Sequence, residues 1–263
     1  MGHRWQFRVH RLSAFALRAA VAWGGDAEMI EDDLAAAMGD QRGVGAADQL
    51  CKACVQLLGV DAAAISLVVD GANIGTLGAS GTVARMYDEA QFTHGEGPCL
   101  DAVAQRAPVL VMDLADPGEV RWPGYGPAML AHQIRGVYAM PIVVAGDYVG
   151  ALDVFQAEPT ALTVEQVIGV VEAAELAQIA VLDLLEQDWS EAAVSQPGSD
   201  AWNELTTLTR AEVSHATGML MAQLHVKAPA ALVRLRAHAY ATGRSATDVA
   251  RDIVERRLRL DAD

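Results

Sequence analysis

The C-terminal part of the chain, residues 208–260, constrains the fold most, because three helical patterns follow one another there. A capping box that begins at Thr209 opens the first pattern. Pro229 suits the first turn of the second helix, and Gly243 suits its left-handed C-terminal position. Ser245 opens the third. Three short helices predict a small bundle with little room for an active-site cleft, so this module is expected to bind rather than to catalyse.

Three segments of this bundle carry a family resemblance. In chain order they are HATGMLM (215–221), LRAHA (235–239) and SATDVARDIV (245–254). Their order and spacing resemble the ANTAR domain, a three-helix RNA-binding output module of bacterial transcription antiterminators. The first helix of that family usually reads Gln-Ala-Lys-Gly. Thr217 stands here where the family has its lysine, which removes one phosphate contact.

Seven residues of the bundle are candidate RNA contacts. They are His215, Ala216, Thr217, Gly218, Arg236, His238 and Arg244. Splayed bases of RNA loops stack on Arg or His, and phosphates attract cations. Ala216 and Gly218 are small enough to allow a close approach, either between helices or to an RNA backbone. The alternative is that these are ordinary solvated surface residues.

The distribution of charge divides the chain into two parts. Residues 1–201 hold 10 Lys/Arg against 27 Asp/Glu, a net charge of −17, whereas residues 202–263 hold 9 against 7, a net charge of +2. This change predicts a domain boundary near Ala201, and a chain of 263 residues has room for two domains. Arginine alone does not indicate RNA binding, because only two lysines accompany 17 arginines, which indicates a compositional bias.

The N-terminal residues and the cysteines indicate the cellular compartment. Residues 1–28 are predicted to be a disordered extension, with Met29 as an alternative start. Arg18 interrupts the apolar stretch that a signal peptide would need. No run of 18 apolar residues predicts a membrane span. Three cysteines suit a reducing compartment and not a disulfide framework, so we expect a cytoplasmic protein.

Residues 29–187 alternate predicted strands and helices. Strands are predicted at 62–69, 74–80, 109–113, 137–144 and 148–155, and helices at 30–58 with a break near 39–45, 83–87, 98–105, 122–132 and 163–187. Hairpin strands with helices before, between and after them predict an α+β domain, an antiparallel sheet flanked by helices. A Ser/Gly/Pro-containing linker, residues 188–201, then leads to the three-helix domain, residues 202–263.

This α+β region also carries a resemblance. Its segments are GEGPCLDAV (95–103), APVLVMDL (107–114), RWP (121–123) and MPIVVAGDYVGALDVF (140–155). They look like the GAF domain, a small-molecule sensing and dimerising module that is rarely an enzyme. The resemblance implies a sensor, and it makes Cys99, which lies in the family's Gly-Pro-Cys-Leu segment, a candidate ligand-pocket residue. Trp122 and Tyr125, in a loop rich in proline and glycine, are candidates for an aromatic lid of that pocket. No cofactor and no metal are expected. The alternatives are core packing for Cys99 and loop anchoring for the two aromatic residues.

The long helix before the linker has two interpretations. Its apolar stripe is either a dimer seam that carries a signal or a cover for the domain's own sheet.

Two other patterns bear on catalysis. His94, Glu96 and Cys99 superficially match zinc deaminases, but Ala102 stands where the second cysteine would be, so the ligand count fails. Cys51 and Cys54 form a CxxC pair that would lie one turn apart on a helix. A redox or metal site there stays open, beside the alternative of buried free thiols.

The sequence therefore predicts a regulator that is not an enzyme. Its GAF-like domain would sense a small molecule or a protein, and its ANTAR-like domain would bind hairpin loops in a nascent transcript to cause antitermination. A homodimer is expected, because two adjacent hairpins match a two-fold axis. The alternative is a non-enzymatic sensor and dimerisation protein that acts through protein–protein contacts.

Overall fold

A five-stranded antiparallel sheet forms the centre of the larger domain in the computed structural model, which describes residues 24–186 and 210–260. Its strands are β1 Ala62–Val69, β2 Ala72–Ala79, β3 Val109–Val111, β4 Gly136–Val144 and β5 Asp147–Gln156. They pair in the order β2-β1-β5-β4-β3. The predicted α+β fold class is confirmed, and each predicted strand is present within a few residues.

Three helices cover one face of the sheet. They are α1 Gly24–Met38, α2 Gly43–Leu58 and α6 Val164–Glu186. Strand alternation sends Ile65 of β1 and Leu152 of β5 into this core, where both are fully buried with Leu50 of α2. The reciprocal side-chain and backbone hydrogen bonds of Thr163 and Gln166 confirm the predicted capping box of α6.

Three shorter helices cover the other face. They are α3 Thr82–His94, α4 Pro98–Gln105 and α5 Tyr125–Ala131. Phe155 of β5, Tyr125 and Met129 are fully buried in this second core. The helix predicted at 83–87 extends from Thr82 to His94 in the structure. Its C-terminal half has no simple apolar stripe, because one of its sides packs on the sheet and another packs on the three-helix bundle. The helix predicted at 122–132 begins only at Tyr125.

Irregular pairing between β1 and β2 sets the direction of two polar side chains. Ser66 pairs with Thr76 and Val68 pairs with Asn73, with register shifts between Ile65 and Ser66 and between Leu67 and Val68. Asn73 and Thr76 are three residues apart, so a regular strand would point them to opposite faces. The extra residue Ile74 in β2 brings both to the face of Ser66, as β-bulges do.

The smaller domain is a bundle of three helices, α7 Ala211–Leu224, α8 Ala228–Thr242 and α9 Ala246–Val254. Pro229 lies in the first turn of α8, and Gly243 ends it with φ 62°. The Ser245 side chain accepts a hydrogen bond from the Asp248 amide, so the predicted cap of α9 is confirmed. Thr209 lies outside the described residues. Arg210 directly precedes α7 with φ 45°.

Residues 1–23 and the predicted linker, residues 188–201, lie outside the described residues. Helix α1 begins at Gly24, so residues 24–28 of the predicted disordered segment 1–28 are helical. Among the described helices, none combines the length and the hydropathy that a membrane span requires.

Replacing Gly150 by alanine tests the close pairing of β1 and β5. A Cβ atom there would overlap the backbone oxygen of Ser66, so strand β1 would have to shift. We expect Gly150→Ala to lower the free energy of unfolding by about 1–3 kcal/mol, as measured by urea denaturation.

Gly45→Ala in α2 is the matched control. Its Cβ would meet only atoms of the exposed Gln41 side chain. Because alanine favours a helix over glycine by about 0.5–1 kcal/mol, stability should stay unchanged or rise. Equal losses in both variants would contradict the assigned β1–β5 pairing.

Candidate functional site

A cluster of buried polar residues lies between the sheet and α3. We call it the sensor cluster, and all of its members are at most 5% exposed. They are Ser66 on β1, Asn73 and Thr76 on β2, Asp88 and Gln91 on α3, Cys99 in the first turn of α4, and Asp153 on β5. Buried polar groups are stable only when they are hydrogen-bonded, so the partners of each group define what the cluster can hold.

Asp88 lies at the centre of the cluster and receives several donors. The hydroxyl groups of Ser66 and Thr76 donate to its two carboxylate oxygens in short hydrogen bonds. The Asn73 amide donates to Oδ1 at 2.9 Å, and the Arg210 guanidinium lies 3.3 Å from Oδ2. Hydrogen bonds from several donors together with a nearby cation offset the free-energy cost of burying a carboxylate.

Asp153 is the second carboxyl group of the cluster and is less completely satisfied. Its Oδ2 accepts from Gln91 Nε2 at 2.7 Å, but its Oδ1 finds no partner among the described residues. Burial, and then the charge of Asp88, raise the pKa of Asp153 well above its ordinary value of 3.8. The fully buried Tyr125 hydroxyl likewise has no partner among these residues. One buried polar atom in the cluster and one beside it therefore have unused hydrogen-bonding capacity.

The cluster also contains a possible metal-ligand set. One ligand atom each from Asp88, Cys99 and Asp153 lies within 4.8 Å of the others. However, burial and the two carboxyl groups raise the pKa of the Cys99 thiol, which favours its protonated, non-ligating form. Donors also occupy both oxygens of Asp88 and Oδ2 of Asp153, which are three of the four carboxylate oxygens that a metal could use. The arrangement suits a cation that carries N–H groups better than a bare metal ion.

The predicted pocket residues lie in or beside this cluster. Cys99 is a cluster member, and the pKa of Tyr125 is raised by burial, then by Asp153, Cys99 and Asp88, which lie nearby. Trp122 is 5% exposed and packs edge-on against Tyr125, with ring centroids 6.0 Å apart. Glu96 holds this segment through the amides of Gly124 and Tyr125 at 2.6 and 3.0 Å. Trp122 therefore packs behind Tyr125.

The outward side of α3 contacts the three-helix bundle. Phe92 is 6% exposed and belongs to the apolar core of the bundle. The guanidinium carbons of Arg210 and Arg236 lie 4.1 and 4.6 Å from the centre of its ring. Cation–π attraction therefore adds to apolar burial at this contact. We call α3 together with Arg210, Arg236 and the start of α9 the domain contact.

The same helix caps the N-terminus of α9. Glu89 Oε1 accepts from the Thr247 amide at 3.2 Å and from the Thr247 hydroxyl at 2.8 Å. The Thr93 hydroxyl accepts from the Ala246 amide at 3.0 Å. The first amides of a helix lack partners within the helix, so these bonds from the larger domain satisfy them. Helix α3 thus joins the sensor cluster on one side to the bundle on the other.

The candidate RNA contacts on α7 differ in accessibility. His215 and Gly218 are exposed, and nothing lies within 4 Å of a Cβ built on Gly218. Thr217 is half-buried, and its hydroxyl donates to the Val213 carbonyl at 2.7 Å. Ala216 is fully buried, so its methyl group serves the packing of the bundle.

The candidates on α8 and after it are partly engaged within the protein. Arg236 stacks on Phe92 of the larger domain and is half-buried. His238 is also half-buried. Arg244 is exposed and forms an ion pair with Asp252 at 2.8 Å. RNA contact through Arg236 would require it to leave Phe92.

The residues of the deaminase-like pattern and of the CxxC pair pack against other parts of the protein. His94 stacks edge-on with Tyr240 at 5.6 Å, whereas Glu96 and Cys99 face the neighbours described above. Cys51 and Cys54 lie in the core on the opposite face of the sheet from Cys99. Burial raises the pKa of Cys54 to about 12 and also raises that of Cys51. Both changes disfavour the reactive thiolate.

Sequence reasoning missed most of the sensor cluster. Asp153 was the strongest available signal, because a carboxylate interrupts the apolar strand sequence of β5. Asn73 and Thr76 gave no such signal, since only the bulge in β2 brings them together. Arg210 could not be placed from its position in the chain, because its partners lie more than 120 residues away.

Comparison with known families assigns both domains. Residues 45–182, more than half of the chain, match the family model of the GAF domain, and residues 206–254 match that of the ANTAR domain. The chain belongs to the GAF domain family and carries an ANTAR domain after it. At the family level it is therefore a sensor joined to an RNA-binding antitermination module, as predicted.

Several solved structures are similar to the GAF domain. One is the GAF domain of a phosphoenolpyruvate-protein phosphotransferase from Coxiella burnetii, with 17% identity, a TM-score of 0.47, and coverage of 61% of this chain and 96% of that one. The A. aeolicus nlh2 GAF domain has 15% identity and a TM-score of 0.45, with coverage of 62% of this chain and 98% of that one. The Neisseria meningitidis free methionine-R-sulfoxide reductase has 15% identity and a TM-score of 0.45, with coverage of 64% of this chain and 94% of that one. No curated protein matches the chain.

The buried carboxyl group of Asp153 should make stability depend on pH. Its pKa is raised in the folded state, so its stabilising contribution is complete below about 3.8 and is lost as the pH rises through the folded value. Asp153→Asn keeps a neutral group there. We expect the stability of this variant, relative to the parent, to increase by up to about 1.4 kcal/mol per pH unit between about pH 3.8 and the raised folded pKa, and to stay constant above it, as measured by urea denaturation.

Asp113→Asn is the control with the opposite sign. The hydrogen bonds from Arg135 lower the pKa of Asp113, so its contribution is present above the ordinary value of 3.8 and is lost as the pH falls. The stability of Asp113→Asn relative to the parent should therefore decrease as the pH rises to about 3.8, and should stay constant at higher pH. A constant difference for Asp153→Asn between about pH 4 and pH 8 would show that Asp153 is ionised in the fold.

Proposed function

We propose that this protein is a cytoplasmic antitermination regulator. Its GAF domain senses a signal, and its ANTAR helices bind hairpin loops in a nascent transcript so that a terminator does not form. The observation that supports this most directly is the domain contact, where α3 carries Asp88 of the sensor cluster and also packs on the ANTAR core through Phe92. A change in the sensor cluster therefore has a short physical path to the RNA-binding helices.

The proposed RNA surface combines accessible groups on α7 with arginines from α8 and the turn after it. His215 and Gly218 are exposed on α7, which allows stacking and a close backbone approach. The bundle lacks the family's lysine at Thr217, so its affinity should depend more on shape and stacking than on phosphate contacts. Arg236 joins this surface once it leaves Phe92.

We further propose that the protein is not an enzyme. The groups that resemble a deaminase site have separate structural roles, since His94 stacks on Tyr240, Glu96 binds backbone amides and Cys99 lies beside Asn73. No convergent nucleophile and base arise from these three groups. The buried carboxyl groups of the sensor cluster are shielded from solvent and instead suit ligand recognition.

Restoring the family lysine tests RNA binding directly. Thr217→Lys adds a cation on α7, and its long stem can reach solvent from the half-buried position. We expect tighter binding to an RNA with two adjacent hairpins, and a plot of log affinity against log salt that is steeper by about 0.7 to 0.9. Fluorescence anisotropy at several salt concentrations measures both.

The exposed Ala222 on the same helix provides the control, because Ala222→Lys adds the same charge on a different face. If both lysines increase affinity equally, the gain reflects net charge and not a specific surface. If no variant shows salt-sensitive RNA binding and a protein co-purifies without nucleic acid, the protein–protein alternative replaces this proposal.

We propose that the protein is a homodimer that uses the outer side of α6. Most of this helix packs on α2 and the sheet, so the sheet-cover interpretation accounts for its buried stripe. Three apolar residues nevertheless stay exposed along one side of α6, namely Val164 at 48%, Ile179 at 49% and Leu182 at 45%. Burying such a stripe against a second copy would stabilise a two-fold dimer.

Ile179→Glu should therefore convert the dimer to a monomer, because it places a charge in a desolvated interface. Size-exclusion chromatography with light scattering measures the mass. Val120→Glu, at a 77% exposed loop position, adds the same charge elsewhere and should leave the dimer intact. A parent protein that is monomeric at all accessible concentrations would refute the dimer.

A further inference from the structure

Arg210 extends from the start of the ANTAR helices into the GAF domain. Its side chain is only 6% exposed. Nη1 donates to Asn73 Oδ1 at 2.9 Å, Nη2 lies 3.3 Å from Asp88 Oδ2, and Nε donates to Glu89 Oε2 at 2.9 Å. The arginine of the output module thus binds two members of the sensor cluster and one residue at its edge.

The charge balance of the cluster depends on this arginine. Asp88 is fully buried, and a buried charge that loses its partner destabilises a protein strongly. If Arg210 left, the hydroxyl groups of Ser66 and Thr76 would still hydrogen-bond Asp88, but its charge would lack a cation. A neutral ligand could fill the space without supplying that charge. The replacement for Arg210 must therefore be cationic and must carry N–H donors.

The same site has polar capacity that Arg210 does not use. Asp153 Oδ1 and the Tyr125 hydroxyl are fully buried without partners among the described residues, and Asp153 lies within 4.8 Å of Asp88 through their ligand atoms. A small free cation could reach further into the cluster than a side chain tethered to α7. It would then gain hydrogen bonds that Arg210 leaves unmade.

We propose that Arg210 is an intramolecular ligand of the GAF domain, and that a small organic cation of the guanidinium or amidinium class displaces it and releases the ANTAR helices. In the closed state described here, Phe92 covers Arg236, while Glu89 and Thr93 cap α9. Displacement of Arg210 removes one of the two arginines on Phe92 and one of the three hydrogen bonds that Glu89 makes to the output module. Only the RNA-binding consequence of this release rests on the proposed function.

Hydrogen–deuterium exchange of the full-length protein tests the release without RNA. In Arg210→Ala, amides at the start of α9 should exchange faster by about 5- to 150-fold, the range of typical coupling between sites. Arg251→Ala is the matched control, because Arg251 is a 47% exposed arginine paired with Asp248 within α9. That control should exchange like the parent protein.

Guanidinium chloride and urea test the class of ligand, since urea has a similar shape without charge. At a few tens of millimolar, where denaturation by either is negligible, guanidinium should raise the Tm of Arg210→Ala, and urea and sodium chloride should not. The parent should need about 10-fold more guanidinium or greater, because tethered Arg210 competes at a millimolar effective concentration. At those higher concentrations, the α9 amides of the parent should become less protected.

Two further variants keep the test decisive if Arg210→Ala folds poorly. Arg210→Lys keeps the charge but loses the planar set of donors, and Glu89→Gln weakens the contact at the 17% exposed edge without touching Asp88. Both should open α9 partially. If the α9 amides of all three variants were as protected from exchange as those of the parent, the proposal that Arg210 holds the ANTAR helices in the closed state would be refuted. Equal responses of Arg210→Ala to guanidinium and urea, or release by zinc that Cys99→Ser abolishes, would refute the ligand class.

RNA binding separates this proposal from the proposed function. If α9 opens in Arg210→Ala but the protein does not bind RNA, the role of Arg210 as an intramolecular ligand is supported and the proposed antitermination function is refuted. If Arg210→Ala and the parent bind RNA equally and the α9 amides stay protected, the proposed function is supported and the role of Arg210 as an intramolecular ligand is refuted.

Discussion

The carboxylate of Asp88, buried between the sheet and α3, is the constraint on which the rest of the site depends. Without donors and a cation, its burial would cost several kcal/mol. Two strands supply the hydroxyl and amide donors, and the irregular pairing of β2 turns Asn73 and Thr76 toward it. The cation comes from the other domain. The local fold of β2 and the position of the ANTAR helices are therefore both linked to one charge.

Helix α3 transmits this constraint because each of its sides has a different environment. Asp88 and Gln91 face the sensor cluster, whereas Glu89, Phe92 and Thr93 face the ANTAR helices. A rotation or shift of this helix cannot satisfy one side without disturbing the other, since packed interiors do not deform continuously. A binding event at the cluster is therefore expected to act on the domain contact as a switch between two arrangements.

The sequence predicts the helices and strands of this molecule well, but it predicts few residues of the sensor cluster. Period-two and helical patterns, the capping box at Thr163 and the proline and glycine of α8 are local signals, and the structure confirms them. Cys99 was a candidate through a family resemblance, and Tyr125 through its position in a loop rich in proline and glycine. Asp88, Asn73 and Arg210 were missed, because their roles arise from a bulge and from contacts between distant parts of the chain. Such contacts leave no periodic trace in a sequence.

The stack of two arginines on Phe92 indicates how finely the closed state is balanced. Each guanidinium gains from the ring and from apolar contact, but the two cations repel each other. Burial, and then the nearby Arg210, lower the pKa of Arg236, whose Nε has no partner among the described residues. The closed arrangement thus holds an unfavourable group that opening would relieve. A ligand needs to supply only the remaining difference, and by linkage RNA that binds the open form must raise the affinity for that ligand by the same factor.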